Sequence, residues 1–128
     1  MRLLLDTQAF LWAVEALERL SARARREIQD PSNEVLVSAA TAWEIAIKVG
    51  IGDLELPDDP QRFVPDQIDA NAFTPLAVLV RHALKVADLP RIHKDPFDRL
   101  LVAQASVDGL ALVTADEQVR RYPIDTVG

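Results

Sequence analysis

The sequence contains no cysteine and only two histidines among its 128 residues. Without cysteine the chain cannot form a disulfide scaffold, a cysteine-ligated zinc site or a thiol nucleophile. The histidines, His82 and His93, are too few and too scattered for a zinc centre, and we expect a half-buried or surface His82 and a loop-exposed His93. No apolar run approaches the about 18 residues of a membrane span, and the N-terminus lacks the apolar length of a signal peptide. We therefore expect a cytoplasmic protein with no membrane segment.

The composition is that of an ordinary globular protein, with 49% apolar and 27% charged residues. At this length one domain spanning residues 1–128 is expected, because two separate cores would each be marginal. The formal net charge of −6 argues at first against broad contact with nucleic acid. That charge is unevenly spread, since residues 53–69 hold six acids and one base.

Short apolar runs alternate with helical patterns along the chain. Strands are predicted at Leu3–Leu5, Val35–Ser38, Thr74–Leu76, Leu110–Val113 and Ile124–Val127. Helices are predicted at Thr7–Val14, from Ser21 to Ile28, at Ala40–Val49, Gln61–Ala70, Ala77–Leu89, from Asp95 to Asp108, and as a turn at Asp116–Arg121. This alternation predicts an α/β fold with a parallel sheet covered on both faces. Such sheets place active sites at the carboxyl ends of their strands.

Four acids follow successive strands in this prediction, namely Asp6, Glu44, Asp98 and Asp116. Two carboxylates about 4 Å apart repel by roughly 4 kcal/mol at an effective dielectric near 20, so a cluster of four requires compensation. Mg²⁺ or Mn²⁺ would supply it, because both prefer hard oxygen ligands. Such an ion can activate water and stabilise the leaving oxygen in phosphodiester cleavage.

Each acid also has a purely structural interpretation. Glu44 has Lys48 four residues later, the spacing of a helix ion pair. Asp95 is expected to be a helix N-cap, and Asp6 and Asp116 could each favour a helix start. The joint placement of the acids, rather than any single one, favours a metal site.

The segments that carry these acids resemble PIN-domain ribonucleases, specifically the VapC-type toxins of type II toxin–antitoxin pairs. The matching segments are Leu3–Thr7, Ser38–Lys48, Leu89-Pro90 with His93–Ala105, and Leu112–Asp116, in the family's order and over nearly the whole chain. Two positions depart from the pattern, because Gln8 replaces a common histidine and the chain ends in Val127-Gly128 without an aromatic residue.

The resemblance implies a three-layer α/β/α PIN-like fold around a parallel central sheet, and Mg²⁺- or Mn²⁺-dependent endonucleolytic cleavage of RNA. By motif match, the catalytic and metal-site acids would be Asp6, Glu44, Asp98 and Asp116. Thr7, Asp95 and Thr114 would lie next to these acids, and the two threonines could hydrogen-bond a carboxylate or a metal-bound water. The alternative for the threonines is that they only cap helices. Arg99, Lys48 and Lys94 would position the RNA backbone, although Arg99 has a structural ion pair as an equal alternative.

The resemblance also implies a cognate antitoxin as partner, within a homodimer or an antitoxin-bound hetero-oligomer. The consecutive residues Phe10, Leu11 and Trp12 cannot share one helix face, so at least one should lie outside the core. They are the candidate antitoxin contact, with a surface aromatic or a homodimer contact as the alternative. Trp43 is expected in the core or at an interface.

Three other functions remain open at this point. One is a structure-specific DNA nuclease of the same fold, and another is a catalytically inactive PIN-like binding module. An aspartyl phosphotransferase with Asp6 as nucleophile is disfavoured, because Gln8 occupies the position of the usual second aspartate. We expect the acidic stretch at 53–69 to lie away from the site. Outside that stretch and the four proposed ligands, the chain has 10 acids and 13 bases, so its charge no longer argues against RNA. The sequence leaves open the RNA target, the antitoxin, the number of metal ions, and whether His93 or Gln8 contacts substrate.

Overall fold

A five-stranded parallel sheet forms the centre of the protein. The computed structural model describes residues 1–128 in full. The strands are β1 (Arg2–Leu5), β2 (Glu34–Ser38), β3 (Thr74–Leu76), β4 (Ala111–Val113) and β5 (Thr126–Val127). Their order is β3-β2-β1-β4-β5, and every neighbouring pair is parallel. The chain therefore adds β2 and β3 on one side of β1 and then places β4 and β5 on the other side.

Six α-helices connect the strands. They are α1 (Thr7–Glu15), α2 (Ala22–Gln29), α3 (Ala39–Gly50), α4 (Pro60–Ala70), α5 (Val80–Lys85) and α6 (Pro96–Asp108). Short 3₁₀ turns lie at Leu17–Arg19, Val86–Asp88 and Val119–Arg121. Ser21 caps α2 as expected, since its hydroxyl accepts the N–H of Ala24. Gly109 ends α6 in the left-handed conformation, with φ 66°. None of the helices is long and apolar enough to cross a membrane.

Alternate side chains of the sheet enter two separate apolar cores, as the pleat requires. Leu3 and Leu5 of β1 pack with Phe10 of α1 in one core, which α2 and α4 complete. Leu4 packs with Leu101 of α6 in the other. All five of these side chains are completely buried. The predicted three-layer α/β/α fold with a parallel sheet is confirmed.

Three predicted elements are shorter in the structure. The helix predicted at 77–89 is reduced to α5 and a 3₁₀ turn, because the imidazole of His82 accepts the N–H of Leu79 and fixes the start of α5. Of the helical turn predicted at 116–121, only residues 119–121 are helical (3₁₀), and the carboxylate of Asp116 accepts the N–H groups of Gln118 and Val119 before them. The last strand keeps only two of its four predicted residues, 126 and 127.

Candidate active site

An open cleft of about 420 Å³ lies at the carboxyl end of the sheet, where the strand order reverses between β1 and β4. A reversal of this kind is where open α/β sheets bind their ligands. The cleft is lined by six carboxylates, those of Asp6, Glu44, Asp53, Asp95, Asp98 and Asp116. Lys48 is the only basic residue in its lining. The four acids predicted from the sequence are therefore brought to one cleft, with strong excess negative charge.

Asp6 directly follows β1 and is, with Glu44, one of the two buried acids of the cleft. Its carboxylate accepts the N–H of Ala9 at 2.7 Å and so caps α1. Only 6% of the residue is exposed. Burial raises the pKa of Asp6, a hydrogen bond from the Thr114 hydroxyl opposes that rise, and the nearby charges of Asp116 and Glu44 add to it. The buried carboxylate thus sits where a positive charge would be most stabilising.

Glu44 is fixed from two sides within α3. The Thr7 hydroxyl donates to Glu44 Oε1 at 2.6 Å, and the Lys48 ammonium donates to Oε2 at 2.6 Å. The residue is 4% exposed. The hydrogen bond with Glu44 raises the pKa of Lys48, so this lysine is charged throughout the physiological range. The expected ion pair between Glu44 and Lys48 is present. The only basic side chain that lines the cleft is therefore already paired with a carboxylate.

Asp95 and Asp98 lie at the start of α6. Asp95 is the expected N-cap, since its Oδ1 accepts the N–H groups of Phe97 and Asp98. Asp98 Oδ2 lies 3.3 Å from the Nε2 of His93. Burial raises the pKa of Asp98 to about 6, and the charges of Asp95 and Asp6 contribute, whereas the hydrogen bond with His93 lowers it. Repulsion from neighbouring carboxylates therefore adds to the effect of burial on Asp98.

Asp116 forms the exposed rim of the cleft after β4. Its N–H donates to the Thr114 hydroxyl at 3.1 Å, and its Oδ1 accepts the N–H of Gln118 at 2.8 Å. Asp98 and Asp116 each engage one carboxylate oxygen in these bonds, and the structure gives the other oxygen no protein donor. The capping roles expected as structural alternatives are real, and they still leave ligand oxygens available.

The donor set of the cleft fits a hard divalent cation by its chemistry. All the acids offer carboxylate oxygen, the ligand that Mg²⁺ and Mn²⁺ prefer. Burial, with a smaller contribution from neighbouring carboxylates, raises the pKa values of Asp6 and Asp98, so a bound cation would stabilise their ionised forms. As the side chains stand, however, no three of them form a group close enough to hold an ion. Mg²⁺ usually takes only one or two carboxylates directly and keeps several waters, so some of these acids would act on the ion through bound water.

Comparison with known proteins agrees with this arrangement. The family model described as PIN domain matches residues 3–125, which is nearly the whole chain. The chain belongs to the PIN domain family. Within a 64-residue alignment it is 42% identical to Ribonuclease VapC16 from Mycobacterium tuberculosis. That alignment covers 47% of this chain and 45% of the relative, so less than half the length of either protein is matched.

Solved structures with the same fold extend over the full PIN domain. VapBC2 from Rickettsia felis, crystallised with a promoter DNA fragment, superimposes with a TM-score of 0.73 at 14% identity, over 99% of this chain and 98% of that chain. DNA-bound VapBC from Salmonella typhimurium gives a TM-score of 0.72 at 19% identity, over 99% and 97%. At these identities the likeness establishes the fold alone.

The predicted RNA-positioning residues of this PIN domain are separated by the structure. Lys48 lines the cleft, whereas Lys94 is exposed outside its lining. Arg99 lies outside the lining too, and its guanidinium donates to the carbonyls of Pro90 and Val86 and to the Tyr122 hydroxyl. The ion pair expected as the structural alternative for Arg99 is therefore not formed, and carbonyl and hydroxyl oxygens are its partners instead.

The burial of several side chains differs from what the sequence indicates. Phe10 is completely buried, so it cannot contact a partner, whereas Leu11 and Trp12 are only half-buried. The expected exposure of His93 is wrong, since its side chain is 8% exposed, and His82 is fully buried. Both imidazoles have carboxylate partners that the sequence pattern does not reveal, because those partners lie on α6.

One acid of the cleft was not predicted. Asp53 belongs to the acidic stretch at 53–69, which was expected to lie away from the site, yet Asp53 lines the cleft. Its N–H donates to the carbonyl of Lys48 at 2.8 Å, which turns the chain back along the end of α3. Gly52, with φ 81°, permits that reversal. The glycine just before Asp53 is the signal that could have located this acid.

Replacing Asp98 with asparagine is expected to stabilise the metal-free PIN domain at high pH. A carboxyl with a raised pKa stabilises the fold while protonated, and that contribution is lost as the pH rises through about 6. Asp98→Asn removes the unfavourable charge, so its melting temperature should exceed that of wild type by about 3–6 °C at pH 8. Below pH 4 the two proteins should melt together.

Thermal denaturation in the presence of a chelator measures this difference. Asp30→Asn is the matched control, because hydrogen bonds from Ser32 lower the pKa of this exposed acid and its charge is favourable. It should give no stabilisation at pH 8. A melting temperature of Asp98→Asn at or below that of wild type at pH 8 would show that Asp98 bears no electrostatic strain.

Proposed function

We propose that this PIN domain is a divalent-metal-dependent endoribonuclease that hydrolyses RNA phosphodiester bonds as the toxin of a toxin–antitoxin pair. The observation that carries the proposal is the cleft itself, in which six carboxylates from separate parts of the chain face a single lysine. A fold that tolerates this repulsion at its ligand-binding edge is arranged for a cation. The partial match to a protein named as a VapC ribonuclease supports RNA as the substrate.

In this proposal Asp6, Glu44, Asp98 and Asp116 hold Mg²⁺ or Mn²⁺. The bound ion would supply Lewis acidity, which favours deprotonation of the attacking water and stabilises the charge that develops on the leaving 3′-oxygen. The protein's own contribution is to orient the carboxylates. The Thr7 hydroxyl holds Glu44, and the nearby Thr114 hydroxyl favours the ionised form of Asp6.

Charge determines when RNA can enter the cleft. The Lys48 ammonium is already paired with Glu44, so the free lining is anionic and repels phosphate. Only after cation binding does the electrostatic potential favour the RNA backbone. Lys48 within the cleft and Lys94 beside Asp95 would then contact phosphates that flank the scissile bond. RNA binding is thus expected to depend on the metal as well as on the basic side chains of Lys48 and Lys94.

The proposed activity is tested by incubating purified protein with single-stranded RNA and with flap DNA, in Mg²⁺, in Mn²⁺ and in EDTA. We expect cleavage of RNA with either metal and none in EDTA, because the anionic cleft cannot bind or activate phosphate alone. Preferential cleavage of the flap would establish the DNA-nuclease alternative. A calorimetric titration with Mg²⁺ or Mn²⁺ that shows no binding would instead support an inactive binding module.

The partner in this proposal is an antitoxin that covers α1. Leu11 lines the cleft and Trp12 is half-buried one residue later, so a protein seated on this helix would also close the site. The full-length structural neighbours are described as VapBC assemblies, which supports a partner of this kind. Co-expression with the proposed antitoxin should yield a complex that does not cleave RNA. A complex that cleaves as fast as the free protein would contradict this mode of inhibition.

A further inference from the structure

A chain of three side chains leads from the rear of the site to Asp98. The Arg99 guanidinium donates to the Tyr122 hydroxyl at 2.9 Å. That hydroxyl lies 2.7 Å from the Nδ1 of His93, and the Nε2 of His93 lies 3.3 Å from Asp98 Oδ2. None of Arg99, Tyr122 and His93 lines the cleft. Whatever these residues contribute to the site must therefore pass through Asp98.

With Asp98 ionised and the His93 ring neutral, one arrangement of hydrogens satisfies all three of these contacts. Arginine has donors and no acceptor, so the Tyr122 oxygen accepts from Arg99. The single hydroxyl hydrogen is then available for the Nδ1 of His93. A ring that accepts at Nδ1 carries its hydrogen on Nε2, which donates to Asp98. All three bonds run in the same direction and end on the carboxylate.

This series of hydrogen-bonded side chains is anchored at Arg99 and enclosed around Tyr122. Arg99 also donates to the carbonyls of Pro90 at 2.9 Å and Val86 at 3.2 Å, which ties the segment before α6 to the helix. Tyr122 is 3% exposed, and its ring lies edge-on to His93 with 5.4 Å between centroids. Each side chain therefore has little freedom to take another rotamer, and neither ring can reach a substrate in the cleft.

We propose that Arg99, Tyr122 and His93 are positioning residues that fix the carboxylate of Asp98 by occupying its Oδ2 and leaving Oδ1 for ligands. This inference rests on the proposed function, because it assigns the hydrogen-bonded series of Arg99, Tyr122 and His93, here called the relay, to the metal site. It also replaces the RNA-positioning role predicted for Arg99 with an internal one. The relay resembles the outer hydrogen bonds that orient metal ligands in other proteins, whose loss costs about 10–100-fold in metal affinity.

Tyr122→Phe is the decisive variant, because it removes one oxygen and keeps the buried ring. We expect it to weaken Mn²⁺ binding, measured by calorimetry, by about 10-fold and to lower kcat with little change in the KM for RNA. His93→Leu should have the same effect, and His93→Gln should restore part of the affinity because its amide can donate to Asp98. A purely structural role would lower the melting temperature and leave Mn²⁺ affinity unchanged, which would overturn the proposal.

The relay has a spectroscopic signature that does not depend on activity. The chain has two histidines, so nitrogen-15 spectra of its imidazoles are readily assigned. In wild type at pH 8, His93 should be the Nε2–H tautomer, and Tyr122→Phe should shift it towards a mixture. His82 is the internal reference, since its Nδ1 accepts the N–H of Leu79 at 2.9 Å and its tautomer should not change.

The two measurements separate failure of this inference from failure of the proposed function. An Nδ1–H tautomer of His93 in wild type would overturn the relay even in an active nuclease. A wild-type protein that neither binds Mn²⁺ nor cleaves RNA would refute the proposed function, and the spectrum would still decide whether the relay exists. If wild type and Tyr122→Phe bind Mn²⁺ equally well, Asp98 is not positioned through this chain.

Discussion

Asp6→Asn protein is expected to cleave RNA at least about 100-fold more slowly than wild type, a loss typical of removing one preorganised electrostatic group from an active site. Asp6 directly follows β1, and burial together with the charges of Asp116 and Glu44 raises its pKa. Asparagine keeps an oxygen for the N–H of Ala9, and it is a good N-cap, so α1 should still form. The substitution removes the charge and leaves the fold.

A gel assay of RNA cleavage in Mn²⁺, together with far-UV circular dichroism, checks this result. Asp59→Asn is a matched control, because Asp59 also caps a helix through its carboxylate but lies outside the cleft. It should cleave like wild type. Equal cleavage by Asp6→Asn and wild type would show that this carboxylate neither binds the metal nor acts in the reaction.

The position of the acids was predictable because it depends on strand ends. A parallel sheet brings the residues after β1 and β4 to one edge regardless of loop details, so Asp6 and Asp116 had to lie close together. Glu44 lies in the second turn of α3 and Asp98 in the first turn of α6, two helices that start at the same edge. These relations follow from periodicity and chain order, which the sequence records directly.

The side-chain network behind Asp98 was not predictable in the same way. His93 and Tyr122 are 29 residues apart, and Arg99 and Tyr122 are 23 apart. Their contacts depend on how the turn at Val119–Arg121 folds back over α6, and no local pattern encodes that geometry. The same reason explains the error at His93, whose loop position indicated exposure while its tertiary partners bury it. Sequence patterns located the carboxylates, and packing determined what orients them.

Phe10 illustrates how the same limitation affects the search for a partner surface. Three consecutive apolar residues on a helix point about 100° apart, so the pattern shows that they diverge without showing which one faces the core. The structure buries Phe10 completely against the sheet and places its ring 6.4 Å from that of Phe73. Leu11 and Trp12 are the residues that remain for a partner.

Phe10→Ala is therefore expected to reduce the free energy of unfolding by about 3–5 kcal/mol, the usual cost of emptying a buried phenylalanine site. This is a large part of the about 5–15 kcal/mol that stabilises a typical domain. Urea denaturation followed by circular dichroism measures the change. A loss below about 1 kcal/mol would mean that Phe10 does not pack in the core.

Trp12→Ala distinguishes core packing from partner binding. Because Trp12 is only half-buried, its truncation should cost less stability than Phe10→Ala and should weaken the complex with the antitoxin more. RNA cleavage by free Trp12→Ala should match wild type, since Trp12 is outside the cleft lining. Loss of toxicity in Phe10→Ala would then report unfolding, whereas cleavage that escapes inhibition in Trp12→Ala would report the interface. Only the second result locates the antitoxin on α1.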